Sequence, residues 1–282
     1  MIRPFLELKY GKYVTDQLVT VDNKVLLDNI NEEGKEQQEE VMRHIVSLRD
    51  NEGNKLIPEK FLANKKEWGM DFSSWIGSLS DKKEYLFIGA EPHISFNYQL
   101  VYDFGSHKGN TIQEDVEAHY KRDNDIWYYL TIIFVSDLTL ENKTSFLNKC
   151  YITDLSHIVP KGCGQVKDIC RELNIADKEW FNFRTSVAKT FLPDEIKAVN
   201  PKYVILHGNA SRYYFQDILG VVYTKSFPIE KSPYKVLTGE FNGYKIISIP
   251  HLKGDMRNKL WKCLKYPERP KSIKEILNQL ID

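Results

Sequence analysis

The chain has 282 residues, and 39 Lys and Arg balance 39 Asp and Glu to a formal net charge of zero. A hydrophobic content of 42% and an aromatic content of 12% supply a real core, for one large domain or one domain with an extension. No run of about 18 apolar residues is present, which excludes a membrane-spanning helix, and Met1-Ile-Arg-Pro-Phe-Leu-Glu7 has no signal-peptide core, so a cytoplasmic location is expected.

Residues 1–60 read as an N-terminal extension, partly helical and acidic, ahead of a main domain at 61–282. Gln37 to Leu48 predicts a charged helix with Val41, His44, Ile45 and Leu48 on one face, and Asp50-Asn-Glu-Gly-Asn54 ends it. Four short apolar runs follow at Tyr85–Ile88, Lys149–Thr153, Tyr203–Leu206 and Lys245–Ile249. Helical patterns separate them at Thr111–Tyr120, Gln165–Glu172, Asp194–Val199 and Ala210–Leu219. Strands alternating with helices predict an α/β fold, a three-layer α/β/α sandwich around a four-stranded parallel sheet.

Cys150, Cys163, Cys170 and Cys263 lie far apart with no C-x-x-C pair. Reduced structural thiols are expected, with no metal site and no cofactor. Beyond His251 the chain turns basic: Lys253, Arg257, Lys259, Lys262, Lys265, Arg269, Lys271 and Lys274 face only Asp255 and Glu268. Such a stretch suits a phosphate backbone, and equally a solvated helix face.

Each predicted strand runs into polar or turn-forming residues. The first reaches Gly89-Ala90-Glu91-Pro92, where Pro92 fixes its own φ and takes the chain out of the sheet. The second reaches Asp154-Leu-Ser-His157, the third His207-Gly-Asn-Ala210, and the fourth Pro250-His251-Leu-Lys-Gly-Asp255. Parallel strands would line these ends along one edge, where open α/β sheets bind ligands. His157 and His207 lie near that edge and are read as structural.

In this order the strand ends resemble the uracil-DNA glycosylase superfamily over roughly residues 60 to 265. The family's first motif is Gly-x-Asp/Asn-Pro, and Glu91 occupies its polar position. Phe104, in Asp103-Phe104-Gly105, falls thirteen residues later, where several branches carry the aromatic that stacks on the extruded base. Tyr151-Ile152-Thr153-Asp154 is similar to the family's Tyr-Ile-Thr-Asn strand. Pro201-Lys-Tyr-Val204 with Gly208-Asn-Ala210 matches its third strand, and His251 opens its last motif. Two departures stand out: His251-Leu252-Lys253 replaces His-Pro-Ser, and Asp154 replaces Asn.

The resemblance implies a monofunctional DNA glycosylase that hydrolyses the N-glycosidic bond of a flipped pyrimidine. Glu91 would stabilise the cationic sugar and orient water, and His251 would donate to the base O2 as charge gathers there. Phe104 would stack on the base, with Ala90 and His93 beside it. His93 stands where the uracil-specific branch has a Tyr crowding C5. Lys253, Arg257 and Lys259 would hold the DNA backbone, with Leu252 or Met256 as the wedge. DNA is thus the expected partner of a monomer that needs no membrane.

Asp154 sets the substrate expectation. Asn offers a donor and an acceptor to uracil O4 and N3–H, whereas an ionised Asp offers only acceptors. Cytosine presents an N4 amino donor and an N3 acceptor, which a protonated Asp154 satisfies together. A modified cytosine is therefore expected over uracil, as in superfamily members that defend bacteria against phages with modified DNA. The alternatives are a non-catalytic DNA-binding module on the same fold, a uracil-DNA glycosylase in base-excision repair, and an enzyme of free nucleosides or nucleotides.

Overall fold

A computed structural model describes residues 2–12, 15, 35–63, 68–72, 82–90, 101–103, 149–160, 163, 166–230, 232–251 and 268–281, with short pieces between 133 and 146. The strands are β1 (Trp68–Phe72), β2 (Tyr85–Gly89), β3 (Val101–Asp103), β4 (Cys150–Asp154), β5 (Ile158–Pro160), β6 (Tyr203–His207), β7 (Tyr223–Pro228), β8 (Lys235–Phe241) and β9 (Tyr244–Ile249). The helices are α1 (Ile2–Tyr10), α2 (Lys35–Ser47), α3 (Glu59–Leu62), α4 (Val166–Leu173), α5 (Asp177–Val199), α6 (Asn209–Tyr213) and α7 (Glu268–Leu277). A π-helical turn, Tyr214–Ile218, continues α6.

The chain forms two compact units. The first comprises residues 1–75, 90–106 and 152–200, and the second 76–89, 107–151 and 201–282. In the first, β1 pairs in parallel with β3 and antiparallel with β5. Its core stacks Trp68 against Phe61 and Trp180, with Phe183 edge-on to Phe61 and Trp68. Along α2 the spacing of Val41, Ile45 and Leu48 buries all three, and His44 is half-buried on the same side. Asp50 Oδ1 accepts the amides of Glu52 and Asn54, so the predicted breaker residues form a turn locked by their own side chain.

Helix α5 has 23 residues, far more than the predicted Asp194–Val199, and it carries Pro193 in its interior. Proline has no N–H to return to the residue four before it, which is Lys189. The Asn51 side-chain amide donates to that carbonyl at 3.4 Å, tying the 50–54 turn to the helix. At the start of α5 the Glu179 carboxylate accepts the Ala176 amide at 2.9 Å.

The second unit holds most of a six-stranded sheet with order β4-β2-β6-β9-β8-β7. The four predicted apolar runs are β2, β4, β6 and β9. β6 pairs in parallel with β2 (Leu86 opposite Val204) and with β9 (Ile205 opposite Ile247). The expected four-stranded parallel sheet needs correction: β8 runs antiparallel to β9 and β7 antiparallel to β8, giving a mixed sheet. Asn242-Gly243 joins β8 to β9, with φ of 51° and 84°. Two positive φ values in a two-residue loop match the twist of antiparallel strands, which favours Asn-Gly there. Beneath the sheet Tyr85, Phe87, Phe134, Phe146 and Tyr203 make a continuous ring cluster.

Cys150, Cys163 and Cys170 are buried thiols. Among the described residues no helix is long and apolar enough to cross a membrane.

Among the described residues of the first unit, one ion pair is buried. Lys9 and Glu195 are each 1% exposed, 2.6 Å apart, and Lys9 Nζ also donates to Thr153 Oγ1 at 2.8 Å. The Thr153 hydroxyl donates to the second Glu195 oxygen at 3.2 Å. Burial works against the Lys9 ammonium, but the Glu195 carboxylate and Tyr10 outweigh it and hold the pKa above its usual value. Removing one member of such a pair costs about 3–5 kcal/mol, because the other charge stays buried. Lys9→Ala should lose that much in urea unfolding, and Lys9→Met combined with Glu195→Leu should recover most of it.

Candidate functional site

The strand ends are built differently in the two units. In the second, β6 and β9 run out side by side, with His207 opposite Ile249. The Gly208 amide donates to the Ile249 carbonyl at 3.0 Å, so the pairing persists one residue past β6. Pro250 then carries the chain to His251, which is half-buried. Its ring lies 4.3 Å from that of His207, with 34° between the planes.

Gly208 makes this approach possible. Its φ of 94° and ψ of 174° lie in a region essentially reserved for glycine. A Cβ added there would stand 3.2 Å from His251 Cβ. The Gly208 carbonyl accepts the Ser211 hydroxyl at 3.2 Å and the Arg212 amide at 3.3 Å, which starts α6 directly after the strand. On α6 the Arg212 guanidinium lies 4.7 Å from the ring centroid of exposed Tyr213. An aromatic ring beside a cation is the pairing that stacks on bases and meets phosphates.

In the first unit β4 ends at buried Asp154. The next turn is fixed by two hydrogen bonds: the Ser156 amide donates to the Ala90 carbonyl at 3.3 Å, and its hydroxyl to Ile158 O at 2.7 Å. Ala90 therefore meets the chain leaving Asp154. Thr153, immediately before, belongs to the Lys9–Glu195 network, so α1 and α5 both grip the end of β4. His157 is fully buried between the edges of Tyr10 and Phe191, with ring centroids 5.5 and 5.0 Å away. It hydrogen-bonds the Lys9 backbone carbonyl, which His44 Nε2 also reaches at 3.2 Å. That environment is structural, as the sequence reading has it.

Of the sequence-predicted site residues, Ala90, Asp154 and His251 are described. Ala90 and Asp154 belong to the first unit, and His251 to the second. Glu91, His93, Phe104, Leu252, Lys253, Met256, Arg257 and Lys259 lie outside the described residues. The sequence reading missed His207 as the partner of His251. The signal was available, since both residues follow apolar runs and adjacent parallel strands bring their ends together. Tyr213 and Lys9 were also missed: one is a single aromatic in a helix, the other a lysine among charged neighbours. Among the described residues no group of three or more His, Cys, Asp or Glu could hold a metal ion.

Neither the family models nor the curated proteins compared give any match to this chain. The site has to be read from its own chemistry.

Burial pushes His157 far below the ordinary histidine pKa of 6.5, helped by the Lys9 and His44 charges. Burial pushes His207 down likewise, helped by His251. The folded protein thus binds fewer protons than the unfolded chain below pH 6.5. Their contribution is fully present above that pH and is lost as the pH falls, with a slope approaching ~1.4 kcal/mol per pH unit for each histidine. Urea midpoints measured from about pH 7.5 down to about pH 5 should show this decline, and His157→Phe should flatten it. Gly208→Ala tests the turn. Strain of about 1–3 kcal/mol is expected at that backbone conformation, visible as a lower melting temperature, together with displacement of His251.

Proposed function

We propose that this protein is a DNA glycosylase that hydrolyses the N-glycosidic bond of a flipped pyrimidine, with modified cytosine preferred over uracil. The observation that carries the reading is His251. Its half-buried imidazole follows the carboxyl end of a parallel strand, seated over Gly208 and against buried His207. Open α/β sheets bind ligands at that edge. A hydrogen-bond donor held there stabilises negative charge on a departing base without reorganising during the reaction.

The remaining roles rest on the resemblance of the strand ends to the uracil-DNA glycosylase superfamily, including its three-layer arrangement. Glu91 stabilises the cationic sugar and orients the attacking water. Phe104 stacks on the extruded base, and Ala90 and His93 flank it. Asp154, protonated, accepts from N4 and donates to N3 of a cytosine. Lys253, Arg257 and Lys259 hold the backbone, with Leu252 or Met256 filling the vacated stack. Exposed Tyr213 under Arg212 supports a nucleic-acid partner. The chemistry uses water alone, needs no cofactor, and suits a cytoplasmic monomer that removes modified bases from invading phage DNA.

Duplex and single-stranded oligonucleotides carrying uracil, cytosine, 5-hydroxymethylcytosine or its glucoside test this, with abasic product read by alkaline cleavage. Release from a modified cytosine is expected, and Glu91→Gln and His251→Ala should each lower turnover about 100- to 1000-fold. Excision of uracil alone would remove the role given to Asp154. Binding across the panel without any abasic product would instead make the protein a non-catalytic DNA-binding module.

A further inference from the structure

Resting on that reading of His251, we propose that His207 is its positioning residue: the buried ring at the end of β6 fixes the plane of the His251 imidazole before any substrate arrives. Four observations converge on this. His207 is the last residue of a strand with both neighbours in parallel register, so its backbone has little freedom. The Gly208 amide holds Ile249, two residues before His251, at the same level. Pro250 restricts the approach to His251 further. The rings then meet at 4.3 Å with 34° between their planes, a tilted contact in which each limits the other's rotation.

A histidine suits this place because burial keeps His207 uncharged. A neutral ring can lie against His251 whether or not the latter carries a proton, whereas two imidazolium rings at this separation would repel. His207 is a flat, neutral support rather than a second acid. Gly208 completes the seat, since a Cβ there would stand 3.2 Å from His251 Cβ and 3.4 Å from its Cδ2, so that His251 would have to give way. The arrangement supplies preset geometry, which matters most in the chemical step: a misplacement of about 1 Å can cost on the order of 100-fold in rate.

The full chain with His207→Ala and with His207→Phe tests the proposal, with folding checked by thermal melting. With a modified-cytosine oligonucleotide, the Ala variant should lose about 10- to 100-fold in kcat with KM little changed. The Phe variant, which restores a flat ring, should recover most of that loss. The second readout needs no turnover. The carbon-bound ring protons of His251 in nuclear magnetic resonance should move downfield in His207→Ala, as the neighbouring ring current disappears, and return in His207→Phe. A folded Ala variant with unchanged kcat and unchanged His251 resonances would overturn the proposal. So would a folded Phe variant as impaired as Ala. If wild-type protein releases no base from any oligonucleotide, the glycosylase reading fails, and the resonance comparison still decides whether His207 sets the His251 ring.

Discussion

Everything in the second unit depends on the pairing of β6 on both sides. All five of its residues are buried, and parallel neighbours hold both edges, β2 on one side and β9 on the other. A strand so placed can carry no exposed polar side chain along its length. Polarity is therefore displaced to its end, where His207-Gly208-Asn209 begins. The same constraint fixes β9, whose buried Ile246 and Ile247 precede Ser248 and then Pro250-His251. Two strands held in register must run out at the same level, and so two histidines far apart in sequence meet. The chemistry proposed for His251 follows from the hydrophobic demands of the strands behind it.

The first unit solves a different problem. Lys9 and Glu195 sit on helices α1 and α5 and both bind Thr153, beside Asp154. A buried ion pair seldom adds net stability over a well-packed apolar replacement, since desolvation of two charges offsets their attraction. The directional hydrogen bonds from Lys9 and to Glu195 fix the Thr153 side chain, immediately before Asp154. Helix α1 is thereby part of the frame around the end of β4, which it reaches through Lys9. His44 and His157 share the Lys9 carbonyl, so α2 and the turn after β4 converge on the same residue.

Much of the fold was legible in the sequence for a physical reason. Buried parallel strands are continuous apolar runs, and all four that the sequence offered are strands. β7 and β8 escaped because much of their length is exposed: Thr224, Lys225 and Ser226 in β7, and Lys235 and Glu240 in β8. Exposed polar and charged residues hide a strand from a search for apolar runs, although Asn242-Gly243 was a direct signal of the hairpin. Helix α5 was read too short because Pro193 counts against a helix interior. Its cost is reduced by Asn51, a partner about 140 residues away that no local pattern contains. Among the strand ends, His251 of the second unit and Asp154 of the first stood out in the sequence. The His207 contact became visible only once the order of the strands was known.

The distribution of buried polar groups argues for where function lies. Towards their amino ends the central strands bury Leu86, Val204, Ile205 and Ile246, which cost nothing in unmet hydrogen bonds. Towards the carboxyl ends buried polar residues join the apolar ones, Ser248 and His207 in the second unit, and Thr153, Asp154, Ser156 and His157 in the first. Replacing both partners of a buried hydrogen bond by apolar groups of the same shape can be nearly neutral or stabilising. A fold selected for stability alone would carry the apolar pattern through to the turn. Each unit instead places some buried polar side chains at the ends of its strands, and the second adds a glycine in a conformation that other residues resist. The polar side chains buried there can donate and accept hydrogen bonds, which apolar ones cannot.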